Sequence, residues 1–474
     1  MTSAYLSAPG PREELLEGFQ RIRDELDVPR HFGPAALTDA REAATDYEHA
    51  TFDATDLEFV TIDPESSMDL DQAVVIHRRP GGYRVHYAIA DVPGFVDAGG
   101  PLDDETRLRA LTMYSPDRKA PLHPAVLSED AASLLAGQVR PALVWVMDLD
   151  ADGDLADARV QRCVIRSRAK LSYVGVQDAL DADAADENLS LLREVGLLLQ
   201  DQERERGGVS LPGLEQEVVS HNGDYRLEMR SPLPVEGWNA QISLLTGRAA
   251  AAMMLQAGIG VLRTMPPPTP ADIDRVRSVA RALHVEWGPE ETYADVISRL
   301  DPHIPAQAAL LNACPVLLRG ASYTAFNGEL PAERSHSAVA APYAHVTAPL
   351  RRLVDRWGLQ ICLSVSDGAG VPDWVEQSLP DVPEYMADGT RKARALERAN
   401  VDLVEAFVMR DRVGQEFEAV VLDSREQWSL IQLEKPAVIA RAPAGLPLGE
   451  RVTVRVASVD VDERRVEFVL ADQT

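Results

Sequence analysis

Three aspartates, Asp63, Asp69 and Asp71, crowd one short stretch of the sequence, residues 61–72. Asp69 and Asp71 are two residues apart, so they share a face if the backbone is extended there, and the preceding loop can bring Asp63 beside them. Crowded carboxylates repel one another unless a cation lies between them. Oxygen ligands of this kind suit Mg²⁺ or Mn²⁺ rather than zinc. Such a site can activate water and assist cleavage of a phosphodiester.

Other interpretations of this acidic loop stay open. In a chain this acidic, it is equally consistent with a solvated acidic turn. Asp-x-Asp pairs also occur in glycosyltransferases that bind a metal and a nucleotide sugar, but that class predicts a glycine-rich βα unit ahead of the pair, and the sequence has none. Asp91, at the end of the alternating run 83–89, is a further residue that can approach the same end of the sheet.

A second group of charged residues follows Pro349. This proline favours the start of a helix, which places Arg351 and Arg352 in its first turn. Cations there oppose the helix dipole, a cost that is understandable if Arg351 binds an anion, because a guanidinium can fork onto phosphate oxygens. The alternative is an ion pair between Arg351 and Asp355, four residues later.

A third group lies on a helix predicted from about residue 391 to 410. Arg391, Arg394 and Arg398 share one face of this helix, at spacings of three and four residues. The stripe fits either a solvated face or a groove that follows a phosphate backbone.

Hydrophobic periodicity divides the chain into three parts. Residues 1–57 predict a small helical module, with helices at about 11–26 and 34–47, that is either helix-turn-helix-like or a packing cap. Residues 58–411 place strands before helices, an α+β order typical of a mainly antiparallel sheet with surrounding helices. Residues 412–474 contain five short alternating runs, the pattern of a five-stranded OB-type β-barrel.

Composition limits the possible partners. The chain has 474 residues and a net charge of −28. Phosphate neutralisation drives affinity for nucleic acid, so this charge argues against binding along the outer surface and leaves room for a local basic groove. No run reaches the roughly eighteen apolar residues of a membrane span, and the N-terminus lacks a signal-peptide pattern. Three widely spaced cysteines fit a reducing compartment, so we expect a cytoplasmic protein without a membrane partner.

Together these segments resemble the ribonuclease II/R family. The loop with Asp63, Asp69 and Asp71 is similar to the family's metal-binding loop, and residues 88–92 follow at the expected place. The run 345–352, His-Val-Thr-Ala-Pro-Leu-Arg-Arg, resembles the family's His-Phe-Thr-Ser-Pro-Ile-Arg-Arg signature. Residues 114–118 and 121–128 lie in the same order as in the family. The resemblance implies an RNB catalytic domain over residues 58–411 and an RNA-binding domain over residues 412–474.

The resemblance implies a hydrolytic, processive 3′→5′ exoribonuclease that degrades single-stranded RNA from its 3′ end to nucleoside 5′-monophosphates, as a monomer. Asp63, Asp69 and Asp71 would hold Mg²⁺, with Mn²⁺ as the other candidate ion. Asp71 and Arg351 would be the catalytic residues, and Arg351 would bind the scissile phosphate and stabilise its developing charge.

The same resemblance implies contacts with RNA. Tyr114 would stack on a base, Tyr173 would touch the 3′-terminal nucleotide, and Glu236 would belong to the pocket for the 3′ end. Glu397 would accept a hydrogen bond from a ribose hydroxyl, which distinguishes RNA from DNA. Further RNA contacts are predicted from Arg391 and Arg394.

Three departures from the family pattern keep a second interpretation open. Gln72 stands where the family has the second of two adjacent aspartates; its carbonyl can still be a ligand of Mg²⁺, but one negative charge is lost. Near residues 207–217 the second base-stacking aromatic residue is missing, and Leu211 is the nearest candidate. The 57 N-terminal residues are too few for the family's pair of cold-shock barrels. The alternative is therefore an RNA-binding or regulatory protein whose RNB-like domain is catalytically weakened or inactive.

Overall fold

The computed structural model describes residues 12–47, 52–211, 215–221, 224–433 and 436–471. Its first two helices, α1 (Arg12–Glu25) and α2 (Pro34–Thr45), confirm the predicted helical N-terminal module. Phe19 on α1 is fully buried, in one hydrophobic cluster with residues of a long helix near the end of the body. A Cβ added to Gly18 would lie 2.6 Å from the Leu403 side chain, so the two helices approach each other closely. The N-terminal module thus packs against the C-terminal part of the body.

The next region is dominated by strands. Its elements are β1 (Phe52–Asp53), β2 (Val60–Ile62), β3 (Gln72–Arg79), β4 (Gly82–Ala90), α3 (Val92–Phe95), α4 (Pro101–Arg109), β5 (Met113–Tyr114), β6 (Lys119–Ala120), β7 (Val139–Asp150), β8 (Leu155–Arg166) and β9 (Ala169–Leu171). Seven of these strands form one sheet in the order β1-β8-β7-β4-β3-β2-β9. The β1–β8 and β2–β9 pairs are parallel and the others are antiparallel, which confirms the predicted mainly antiparallel sheet.

Both faces of this sheet are buried. Side chains alternate along β7, so the neighbours Val144 and Trp145 belong to different hydrophobic clusters on opposite faces. Trp145 is fully buried in a cluster that also contains Ile242 of a later helix. The sheet therefore forms a rigid platform, and the loops at its edge are placed relative to one another by its register.

Helices dominate the remainder of the body. Its elements are α5 (Tyr173–Asp181), α6 (Glu187–Glu205), β10 (Glu215–His221), β11 (Asp224–Arg230), α7 (Pro234–Ala257), β12 (Ile259–Thr264), α8 (Pro270–Ala282), α9 (Tyr293–Ser298), α10 (Pro305–Ala313), β13 (Ser322–Asn327), β14 (Ser335–His336), β15 (Ala341–Pro342), α11 (Leu353–Ser366), α12 (Asp373–Ser378) and α13 (Val382–Met409). The order of strands before helices confirms the α+β prediction. The last helix begins nine residues earlier than its predicted start near residue 391.

The five predicted C-terminal strands are all present: β16 (Glu416–Ser424), β17 (Ser429–Leu433), β18 (Ile439–Ala442), β19 (Arg451–Asp460) and β20 (Arg465–Leu470). They form an antiparallel sheet in the order β18-β17-β16-β19-β20, and the two outer strands approach each other, so the sheet is nearly closed into a barrel. Alternate residues of β17 are buried, as the pattern in the sequence predicts. Among the described residues, no helix is both long and apolar enough to span a membrane.

Candidate active site

The acidic loop leaves the central sheet at an edge where several strand ends meet. Ile62 at the end of β2 pairs with Leu171 at the end of β9, and Gln72 at the start of β3 pairs with Ile89 near the end of β4. Asp63 follows β2 directly, and α5 begins with Tyr173 two residues after β9. The register of the sheet therefore brings the acidic loop and Tyr173 to one edge.

Side chains from outside the loop fix its path. The Lys170 ammonium on β9 donates to the backbone carbonyls of Glu65 (2.6 Å) and Ser67 (2.5 Å). The Ser133 hydroxyl donates to the carbonyl of Met68 (2.7 Å) and accepts from the backbone N–H of Leu70 (3.0 Å). These bonds hold the loop between two parts of the fold, so its carboxylates have defined positions.

Asp71 is the most enclosed carboxylate of the loop, with 6% of the residue exposed. It accepts a hydrogen bond from the backbone N–H of Leu350 (2.8 Å), and its other oxygen lies 3.7 Å from Nε of Arg351. Burial raises the pKa of Asp71 to about 8, although Arg351 and the Leu350 hydrogen bond act in the opposite direction. Burial likewise raises the pKa of Asp63 to about 6. The positive groups of the protein therefore do not compensate for the burial of these two carboxylates. A bound cation would supply the missing positive charge.

Asp69 has a cationic partner that sequence reasoning missed. The Lys119 ammonium lies 2.9 Å from Asp69 and 2.9 Å from Glu129. Lys119 is 50 residues away from Asp69 in the sequence, and nothing in its local pattern distinguishes it from a surface lysine. The third carboxylate of the loop is thus already paired within the protein.

Gln72 points into the fold. Its amide nitrogen donates to the carbonyl of Thr347 (2.6 Å), and its carbonyl oxygen accepts from the hydroxyl of Tyr87 (2.5 Å) and, more weakly, from that of Ser243. Its predicted role as a metal ligand stays a prediction. In the part of the chain that the structure describes, no three His, Cys, Asp or Glu side chains lie close enough together to hold a metal ion. Asp63 and Asp71 still fit a hard cation in donor chemistry and in their uncompensated burial.

Arg351 lies in a turn and not, as predicted, in the first turn of a helix. The helix α11 begins at Leu353, and Arg352 precedes it in an extended conformation, bridged to Leu111. Arg352 pairs with Asp355 at 2.8 Å, so the ion pair considered for Arg351 is made by its neighbour. The side chain of Arg351 remains 50% exposed beside Asp71. Its backbone carbonyl accepts from the N–H of Thr112 at 3.1 Å, which fixes it to the strand that leads to Tyr114.

Two tyrosines border this centre. Tyr114 on β5 is 53% exposed. Burial of its hydroxyl raises the pKa of Tyr114 to about 12, with Asp69 adding to the shift and Arg351 opposing it. The hydroxyl of Tyr173 accepts a hydrogen bond from the Asn239 amide (3.3 Å), and burial followed by the charge of Asp63 raises the pKa of Tyr173. Both rings are therefore close to the acidic loop.

Other predicted residues lie further from the carboxylates. Glu236 caps α7, accepting from the N–H of Leu233 (2.8 Å), and pairs with Arg230 (2.7 Å). Asp91 does not join the loop: it is fully buried, caps α3 and pairs with Arg162 at 2.7 Å. The position considered for a second base-stacking residue holds Leu211, which is 37% exposed.

The predicted stripe lies on the exposed side of α13. Arg391 pairs with Asp388 (2.9 Å) and lines a cleft of about 860 Å³ between α1, α4 and α13. Arg394 and Glu397 are exposed. Burial lowers the pKa of Arg263 on β12, Tyr323 opposes this shift, and the nearby charge of Arg394 adds to it. A Cβ added to Gly389 would lie 2.6 Å from Ala110, so α13 packs directly on the strand leading to Tyr114. The structure thus places Asp63, Asp69, Asp71, Arg351, Tyr114 and Tyr173 around one end of the sheet, with the stripe on an adjoining helix, but it does not bring the three predicted carboxylate ligands close enough together to share one ion.

Comparison with known proteins matches both parts of this architecture. The RNB domain model matches residues 52–358, and the model for the RNase II-type exonuclease C-terminal S1 domain matches residues 415–471. Ribonuclease R of Escherichia coli (strain K12) is 27% identical, and the match covers 88% of this chain and 57% of that protein. The chain therefore spans little more than half the length of this relative.

Solved structures with the same fold include both a ribonuclease and a protein described as a pseudonuclease. Mycoplasma genitalium RNase R in complex with ribose-methylated single-stranded RNA matches with a TM-score of 0.85 at 18% identity, covering 97% of this chain and 79% of that one. Yeast Ssd1, described as a pseudonuclease, matches with a TM-score of 0.69 at 17% identity, covering 89% and 53%. At these identities the likeness concerns the fold. The match of the RNB domain to more than half of the sequence decides the assignment, and the chain belongs to the RNB family.

Proposed function

We propose that this protein is a hydrolytic, processive 3′→5′ exoribonuclease that requires Mg²⁺, degrades single-stranded RNA from its 3′ end and releases nucleoside 5′-monophosphates. The observation that carries the proposal is the half-exposed guanidinium of Arg351 beside the buried carboxylate of Asp71. Asp63 and Tyr173 reach the same sheet edge. An anion-binding cation thus adjoins carboxylates that need positive charge, which suits a phosphodiester substrate.

In the proposed reaction, different residues of the chain would have different roles. Arg351 would fork onto oxygens of the scissile phosphate and stabilise the charge that develops there. Asp63 and Asp71 would hold a divalent cation, which when bound activates water and neutralises charge. The N–H of Leu350 and the hydrogen bonds to the loop hold the carboxylates in place. Tyr114 and Tyr173 would contact bases and the terminal nucleotide.

The comparisons support this reading. Ribonuclease R is the name of an E. coli relative that shares most of the length of this chain. The M. genitalium protein of the same fold is described in complex with single-stranded RNA. We infer the same class of ligand for this chain.

The proposal is tested with a 5′-labelled single-stranded RNA, incubated with and without Mg²⁺. We expect the wild type to convert it to a very short product only with Mg²⁺. Asp71→Asn should abolish conversion, because the amide removes a charge that holds the ion. Asp178→Asn, an exposed aspartate on α5, is the matched control and should digest as the wild type does.

A second candidate is an RNA-binding protein with a weakened or inactive RNB domain. It is favoured by the inward hydrogen bonds of Gln72 and by the pairing of Asp69 with Lys119. The same assay separates the two functions. If the wild type does not digest RNA with Mg²⁺ but retards it in a gel, the exonuclease proposal is wrong and the binding protein remains.

We further propose that the protein is a cytoplasmic monomer. The support for the cytoplasmic location is that Cys163, Cys314 and Cys362 are all buried and free, as expected in a reducing compartment. Cell fractionation and light scattering of the purified protein test the two statements separately.

A further inference from the structure

Lys119 forms a bridge between two carboxylates at the border of the acidic loop. Its ammonium lies 2.9 Å from Oδ1 of Asp69 and 2.9 Å from Oε1 of Glu129. The side chains of Lys119, Asp69 and Glu129 are 25%, 14% and 34% exposed, so the contacts are partly shielded from water. We call this arrangement the lysine bridge. Asp69 is one of three predicted ligands of the divalent ion, and no part of the proposed function uses Lys119.

The fold holds Lys119 in this position. Lys119 pairs with Tyr114 across the β5–β6 hairpin, so the lysine and the tyrosine are carried by the same two-stranded element. The turn of the hairpin is attached to α1 by the ion pair between Arg23 and Asp117 (2.6 Å), and to α13 by a hydrogen bond from Asn400 to Ser115 (3.2 Å). These contacts hold the backbone of the hairpin in place, so Lys119 extends towards Asp69 and Glu129 from a defined position.

The lysine bridge occupies space that a cation would otherwise use. Two carboxylates lie within 2.9 Å of one ammonium, so its nitrogen marks a point where positive charge is favoured. A metal ion would have to displace the ammonium to use the same oxygen of Asp69, because the two cations repel each other at such short distances. Asp71 lies 3.7 Å from Arg351, and among the described residues no lysine forms an ion pair with Asp71 or Asp63, so an ion could bind there without displacing an ammonium.

We propose that Lys119 is a built-in cation that takes the place of one metal ion, so that the centre binds a single divalent ion, at Asp63 and Asp71. Lys119 is in this sense a positioning residue that sets metal stoichiometry and orients Asp69. The inference rests on the proposed function in one respect, that the acidic loop binds a divalent ion. A two-ion centre would steady both the entering and the leaving oxygen of the phosphodiester. With one ion, Lys119 and Arg351 supply the remaining positive charge.

The test is a calorimetric titration of the full chain with Mn²⁺, without RNA. We expect the wild type to bind one Mn²⁺ per chain and Lys119→Met to bind two, because the vacated point lies between two unpaired carboxylates. Glu129→Gln breaks the bridge but keeps the ammonium on Asp69, so it should bind one. Arg118→Met removes a positive charge from the next position of the same hairpin, at a residue that pairs towards Asp117 and α1, and should also bind one.

The outcomes separate this inference from the proposed function. Two Mn²⁺ in the wild type, or one in a folded Lys119→Met, overturns the role of Lys119 and leaves the exonuclease proposal intact. No Mn²⁺ in the wild type but one in Lys119→Met contradicts the metal-dependent function while retaining Lys119 as the competing cation. Absence of binding in both proteins overturns both. Circular dichroism shows whether Lys119→Met is folded, and if it is not, Lys119→Gln replaces it with the same expectation of two ions.

Discussion

Arg351 and Arg352 are neighbours in the sequence, yet they meet opposite environments. Arg352 is 18% exposed and donates to Asp355, which is fully buried. Arg351 is 50% exposed, and the one ion pair that its guanidinium makes with a described residue is the long contact of 3.7 Å to Asp71. A buried ion pair depends on both partners, whereas an exposed guanidinium is available to an incoming phosphate. We therefore expect Arg352 to contribute to stability and Arg351 to activity, although the two residues are adjacent.

Replacement of Arg351 should lower activity without lowering stability. We expect Arg351→Met to reduce the single-turnover rate of RNA digestion by about 10²–10³-fold, the usual effect of removing a group that stabilises transition-state charge. Arg351→Lys should recover only part of this loss, because an ammonium cannot fork onto two phosphate oxygens. The midpoint of urea unfolding should stay that of the wild type in both variants.

Arg352→Met is the matched control, and it should behave in the opposite way. It leaves Asp355 buried without its counter-charge, which costs about 3–5 kcal/mol of unfolding free energy. If Arg351→Met lowers the unfolding midpoint as much as Arg352→Met does, Arg351 is a structural residue and its proposed contact with phosphate is wrong.

The three aspartates and Arg351 of the centre could be predicted from the sequence, but the contacts made by Lys119 and Tyr87 could not. Asp63, Asp69 and Asp71 lie within nine residues, so local spacing alone predicts that they meet. Lys119 contacts Asp69 from 50 residues away, and Tyr87 reaches Gln72 across a strand pair. Such contacts depend on the register of the sheet and the path of a hairpin, which composition and periodicity do not encode.

At the scale of elements, periodicity predicted the helices and strands well, and the error at α11 has a physical cause. Pro349 does favour a helix, but the N–H of Leu350 binds Asp71 and Arg352 bridges to Leu111. These tertiary contacts hold residues 349–352 in a turn, so the helix begins at Leu353. The helix start predicted at Pro349 was wrong because contacts within the candidate site determine the backbone conformation there.

The N-terminal module acts on the site through the β5–β6 hairpin. Arg23 on α1 and Asp117 in the hairpin turn are 5% and 12% exposed, and both nitrogens of the guanidinium that face Asp117 donate to it, at 2.6 and 2.9 Å. The pair holds the element that carries Tyr114 and Lys119. The two N-terminal helices thus have a role in the body of the protein, independent of any role in binding RNA.

Asp117→Asn should therefore lower both stability and activity. The amide leaves Arg23 buried without a counter-charge, at a cost of about 3 kcal/mol, and releases the hairpin from α1. We expect a lower urea midpoint and a higher KM for RNA, measured on the same preparations. Arg118→Met, exposed on the same turn, is expected to change the unfolding free energy by less than about 0.5 kcal/mol. Equal effects of the two substitutions would contradict a specific role for the buried pair.

At the scale of the whole molecule, charge and packing have to be considered together. The chain carries 75 acidic and 47 basic side chains, and many arginines are paired with carboxylates. RNA, the proposed ligand, would therefore gain little from the general surface, and its binding would depend on the few cations near Arg351 and on α13. The way in which the parts of the fold pack against each other would then determine whether these cations can contact the same RNA.

Glu405 lies where three parts of the fold meet. On α13, its carboxylate accepts from the Gln216 amide on β10 (2.7 Å) and from the backbone N–H of Ile439 on β18 of the barrel (2.8 Å). Burial raises the pKa of Glu405 from its ordinary 4.5 to about 7, although both hydrogen bonds act in the opposite direction. The junction between body and barrel thus contains a carboxyl group that is more stable when protonated.

The stability of this junction should depend on pH with a definite sign. The folded state holds the Glu405 proton more tightly than the unfolded chain, so this contribution is fully present below about pH 4.5 and is lost as pH rises through about 7. Glu405→Gln imitates the protonated form at every pH. We expect its unfolding free energy, measured with urea, to equal that of the wild type near pH 4.5 and to exceed it at pH 8, by about 1.4 kcal/mol for each pKa unit of the shift. A constant difference between the two unfolding free energies from pH 4.5 to pH 8 would show that folding does not raise the pKa of Glu405, and that its hydrogen bonds offset its burial.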